Sequence, residues 1–109
     1  MKLITAIINK KDESFLSNAL TERGFYHTRI STNGGFLRKT NATILIGIEN
    51  NRLEEALEII RSNCKKRVEQ IPSFLSTSGI IHSLNYNTAE VVVGGATIFV
   101  TNIEYFEKI

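Results

Sequence analysis

The sequence predicts a small α+β domain of ferredoxin-like order, βαββαβ with an additional C-terminal strand. Three observations predict it. Leu3 to Ile8 and Ala42 to Ile48 are apolar at nearly every position, as in strands buried on both faces. Two segments, Phe15 to Leu20 and Leu53 to Cys64, repeat apolar residues at helical spacing. Gly24, Gly34-Gly35 and Gly94-Gly95 punctuate the chain where turns are needed.

The first strand is Leu3 to Ile8. Asp12 is a suitable N-cap, with Glu13 in the first turn of a helix running to about Arg23. Phe15, Leu16, Ala19 and Leu20 form its apolar stripe, and Gly24 is the C′ stop. Phe25 to Thr32 reads as the second strand, Asn33-Gly34-Gly35 as a turn and Ala42 to Ile48 as the third strand. Asn51 and Glu54 have the spacing of a capping box for the second helix. Leu53, Ala56, Leu57, Ile60 and Cys64 make its stripe, which reads Cys64 as a core thiol.

Periodicity is lost from Val68 to Thr88, so this stretch reads as a long loop. Its Phe74, Leu75, Ile80, Ile81 and Leu84 predict that it lies on something. Glu90 to Val93 and Ala96 to Asn102, joined by Gly94-Gly95, read as a hairpin. Two helices cover one face of a ferredoxin-like sheet. Apolar strands on both faces predict that another copy of the chain covers the second.

The 109 residues predict a single domain, 1–109, large enough for a core without disulfides or metals. A hydrophobic content of 42% with 22% charged residues is that of a globular protein. A net charge of +2 argues against nucleic-acid binding, which needs clustered cations to neutralise phosphates. The Lys65-Lys66-Arg67 run follows a helix, where cations suit the negative end of the dipole. One cysteine, no signal-like segment and no run of about 20 apolar residues predict a cytoplasmic chain with no membrane partner.

Little here predicts catalysis. His27 and His82 have no metal-ligand spacing, and no nucleophile-elbow, P-loop or dinucleotide motif occurs, so no catalytic residue, metal or cofactor is expected. RNA-recognition modules share the element order but stack bases on third-strand aromatics; Ala42 to Ile48 has none. Acylphosphatase-like enzymes need an arginine-bearing anion loop after the first strand, and Asn9-Lys10-Lys11-Asp12 lacks one.

The unusual stretch is Thr28 to Thr43. Gly34 and Gly35 let backbone N–H groups approach an anion, and amide and hydroxyl groups near Phe36 suit a purine. Arg38 is placed to meet a phosphate. A polar hairpin loop with a buried Phe fits the same residue types.

Thr28, Gly34-Gly35-Phe36-Leu37-Arg38, Asn41 and Thr43 together resemble the signature of the PII-like cyclic di-AMP receptors of Gram-positive bacteria. Val93-Gly94-Gly95-Ala96-Thr97-Ile98-Phe99-Val100 and the opening Met1-Lys2-Leu3-Ile4 agree, so the resemblance covers the whole chain. It implies a cytoplasmic signal-transduction protein, a homotrimer that binds cyclic di-AMP in the clefts between subunits. Loop ordering would then signal to an unknown downstream protein. By the same resemblance Thr28, Gly35, Phe36, Leu37, Asn41 and Gly47 line the pocket, and Phe99 contributes from the sheet. The family commonly has Asn and Arg where this chain has Gly24 and Tyr26, and Gly where it has Thr40. Another adenine nucleotide as ligand, or an interaction protein without ligand, are the alternative readings.

Overall fold

The computed structural model describes residues 1–30, 41–72 and 88–109, with 71, 72, 88 and 89 described by backbone alone. The elements are β1 (Lys2–Asn9), α1 (Glu13–Glu22), β2 (His27–Ile30), β3 (Asn41–Ile48), α2 (Leu53–Asn63), β4 (Arg67–Pro72), β5 (Thr88–Val93) and β6 (Ala96–Asn102). Short 3-10 turns, Lys10–Asp12 and Asn50–Arg52, lead into the helices.

β2, β3, β1 and β6 form an antiparallel sheet in that order. This is the ferredoxin-like arrangement, with β6 in the place of the fourth strand. β1 is central: Ile4 faces Ile46 on one side and Val100 on the other, and Ala6 faces Ile44 and Ile98. Ile4, Ala6, Ile8, Ala42, Ile44, Ile46 and Ile48 share one face and are buried under Leu16 and Leu20 of α1 and Ala56, Ile59 and Ile60 of α2. Cys64 completes this core, as its place on the apolar stripe predicts, and burial pushes its thiol up to about 11.

The expected β5–β6 hairpin does not form. β5 pairs with β4 in a separate two-stranded ribbon, whereas β6 crosses to the free edge of β1. Gly94 and Gly95, at φ 85° and 82°, make the corner between the two sheets. The Gly95 N–H donates to the Cys64 carbonyl at 2.6 Å, which fixes that corner to the end of α2. A Cβ on Gly94 would lie 2.3 Å from the Lys65 carbonyl oxygen. The turn signal is therefore real, but its backbone bond goes to the 64–66 segment instead of closing a hairpin.

Arg67–Pro72, expected to open the long loop, is a strand. Its register places Val68 opposite Val92 and Gln70 opposite Glu90. Phe74, Leu75, Ile80, Ile81 and Leu84 lie outside the described residues.

Neither predicted helix cap is made. Asp12 has no capping hydrogen bond; its buried carboxylate meets the Arg67 guanidinium at 3.0 Å instead. Asn9 caps the preceding 3-10 turn, its Oδ1 accepting from the Lys11 N–H at 2.9 Å. α2 opens through the 3-10 turn at Asn50–Arg52, so Asn51 precedes the helix without capping it. The C-terminal stop stands: Gly24 has φ 76°.

Candidate functional site

Residues paired across neighbouring strands share a sheet face, and parity along each strand settles which one. β1 residues 4, 6 and 8 face the helices, so Leu3, Thr5 and Ile7 face the other way. Thr43, Leu45 and Gly47 of β3 join them, with Thr97, Phe99 and Thr101 of β6. On β2, Thr28 pairs with Leu45 and belongs to the same face, whereas His27 and Arg29 belong to the helical side. The His27 Nδ1–H donates to the Phe25 carbonyl at 3.1 Å, so Nε2 accepts from the Ser17 hydroxyl at 2.8 Å. His27 thus fastens the start of β2 to α1.

The described candidate residues Thr28, Asn41, Gly47 and Phe99 all lie on the face turned away from both helices. Thr28, Leu45, Thr5 and Phe99 form one row across the four strands. Phe99 is 54% exposed there, large for an aromatic ring in a central sheet. Asn41 and Gly47 mark the two ends of β3, six residues and about 20 Å apart. They do not converge on one small pocket of a single chain. Gly35, Phe36, Leu37 and Arg38 lie outside the described residues.

Each end of the face has its own hollow. At one end, about 200 Å³ is lined by Gly47 together with Gly24, Tyr26 and Arg52. Tyr26 is 90% exposed. Gly24 and Tyr26, the departures from the signature quoted above, thus stand beside Gly47. At the other end, a cavity of about 280 Å³ is lined by Asn41, Asn9, Lys66, Gly94, Gly95 and Thr97. Asn9 and Asn41 are direct cross-strand partners.

The charges beneath this second cavity are tied up. Arg67 bonds Asp12 and reaches Glu69 at 3.3 Å, and Lys11 meets Glu69 at 2.7 Å. The Asp12 carboxylate, and then Glu69, hold Arg67 more firmly protonated than usual. Lys11 and Arg67 in turn hold the Glu69 carboxyl below its usual range. Among the described residues, no three His, Cys, Asp or Glu side chains are grouped as a metal site. No described helix is long and apolar enough to cross a membrane.

A family model described as "Cyclic-di-AMP receptor" matches residues 1–109, the whole chain. The chain belongs to the cyclic-di-AMP receptor family. The crystal structure of a functionally unknown protein from Pediococcus pentosaceus ATCC 25745 is similar at 35% sequence identity and a TM-score of 0.76. The match covers 99% of this chain and 96% of that one. The family is a receptor family, not a known enzyme family.

Asn9 and Lys66 also line the second cavity, and no motif marks either in the sequence. Lys66 was legible only as part of a basic run after a helix. What gives it a place is the Gly94-Gly95 corner, across which its side chain lies.

Proposed function

We propose that this cyclic-di-AMP receptor family member is a cytoplasmic homotrimer that binds cyclic di-AMP at its subunit interfaces. Ordering of the long connection between β4 and β5 is the output to a downstream protein. One observation carries the reading: Thr28, Asn41, Gly47 and Phe99 share the face turned away from the two described helices, with Asn41 and Gly47 at opposite ends. A ligand bound at either end needs walls beyond those the described residues of one chain supply. A second copy laid on this face supplies them and covers Leu3, Ile7, Leu45 and Phe99. Within the pocket, Phe36, Leu37 and Phe99 provide apolar and stacking surface, Thr28 and Asn41 read base edges, and Gly35 and Gly47 admit close approach. Arg38 meets a phosphate.

The exposed Tyr26 beside Gly47 favours a second reading, in which the site takes another adenine nucleotide. Titration calorimetry with cyclic di-AMP, cyclic di-GMP, ATP and AMP tests both. Tightest binding of cyclic di-AMP supports the first reading. Preference for ATP or AMP supports the second, and no binding of any of the four overturns both.

A further inference from the structure

We propose that the cavity between Asn41 and the Gly94-Gly95 corner is a phosphate subsite, and that the Lys66 ammonium is its cation. The inference rests on the cyclic di-AMP reading for the identity of the ligand, but the subsite stands on its own geometry.

The cavity offers groups suited to an anion. Asn9, Asn41 and Thr97 line it with amide and hydroxyl side chains, although the Asn9 Oδ1 already accepts from the Lys11 N–H at 2.9 Å. The glycines leave the corner without side chains, so a ligand can approach the backbone closely. Lys66 follows α2 and lies flat across Gly95: a Cβ there would stand 3.0 Å from its Cγ and 3.3 Å from its Cε. A side chain at 95 would therefore displace the lysine stem that the glycine accommodates.

Charge decides what the cavity takes. The nearby carboxylates Asp12 and Glu69 are engaged by Arg67 and Lys11. Lys66 makes no ion pair or hydrogen bond with any described residue, and it lines the cavity. Lys66 is exposed, and its ammonium beside the amide and hydroxyl groups of Asn9, Asn41 and Thr97 suits a phosphate as a point charge. The ligand class is a phosphodiester or phosphate ester, and Lys66 acts at the end of the sheet opposite Tyr26.

The test compares the full chain with Lys66→Gln and Lys66→Arg. Cyclic di-AMP affinity is measured by calorimetry, and backbone amide NMR shifts are followed during titration with inorganic phosphate. Loss of one charge-assisted contact predicts about ten- to hundredfold weaker binding for K66Q, with K66R close to the parent. Phosphate should shift the Gly94, Gly95 and Thr97 amides in the parent and leave K66Q unmoved. K66Q binding cyclic di-AMP as tightly as the parent overturns the subsite and spares the proposed function. A parent that binds phosphate at these amides but no cyclic di-AMP keeps the subsite and overturns the ligand. A parent that binds neither overturns both.

Discussion

At the residue scale, Asn41 and Phe99 are the side chains whose positions matter most, because both stand on the sheet face turned away from the two described helices. Asn41→Ala should weaken cyclic di-AMP binding about ten- to hundredfold by leaving a base-edge group unpaired. Phe99→Ala and Phe36→Ala should each cost about 1–3 kcal/mol of binding, the range for losing an aromatic under a base. His82→Ala should change affinity little, since no ligand role is assigned to it. Calorimetry on folded protein checks all four. Tyr26→Arg should strengthen binding, because it restores a cation at the Gly47 hollow. Cys64 provides a different kind of test. Its thiol is raised from the ordinary 9.0 to about 11, chiefly by burial and then by Asp12. The folded state therefore favours the protonated thiol. The stability this contributes is complete below pH 9.0 and is lost as pH rises towards about 11. Denaturant midpoints should fall across that window more in the parent than in Cys64→Ala. An equal fall in both would show that this thiol is not the cause.

At the scale of elements, the Gly94-Gly95 corner and the base of the β4–β5 ribbon hold the two sheets together. Gly94→Ala forces φ 85° on a residue with a Cβ, which would also meet the Lys65 carbonyl at 2.3 Å. It should destabilise the fold by about 1–3 kcal/mol or more, read as a lower denaturant midpoint. Arg67→Met strands the buried Asp12 carboxylate, whereas Lys11→Met removes only an exposed partner of Glu69. The first should lower the melting temperature more than the second. The helices and the central strands were legible because one-sided burial imprints a period of 3.6 or an unbroken apolar run. The shared face of Thr28, Asn41, Gly47 and Phe99 follows from strand parity once register is known. β4 was hidden because Arg67, Glu69 and Gln70 break any apolar pattern. The hairpin was misread because a glycine turn sets where a chain bends, not which edge the next strand joins. β6 went to the open edge of β1. The Asp12 cap failed for a similar reason: Arg67, distant in sequence, took its carboxylate. The place of Lys66 at the second cavity likewise follows only from that corner.

At the scale of the whole molecule, the chain extends 58 × 27 × 19 Å, long for its width. The ribbon adds to its exposed apolar surface, with the cross-strand pair Val68 and Val92 at 60% and 68% exposure. Tyr105, Phe106 and Ile109 of the C-terminal segment are also exposed. With the open sheet face, these are surfaces that association would bury, at roughly 25 cal/mol for each Å² of apolar area removed from water. In the proposed function, copies of this chain assemble on that face and hold cyclic di-AMP between them. Sedimentation velocity of the parent with cyclic di-AMP, following the nucleotide by its own absorbance, tests it most directly. Nucleotide and protein should sediment together as one species with three times the mass of a single chain. A protein that sediments as a monomer, or a nucleotide left behind by the moving protein boundary, would contradict it.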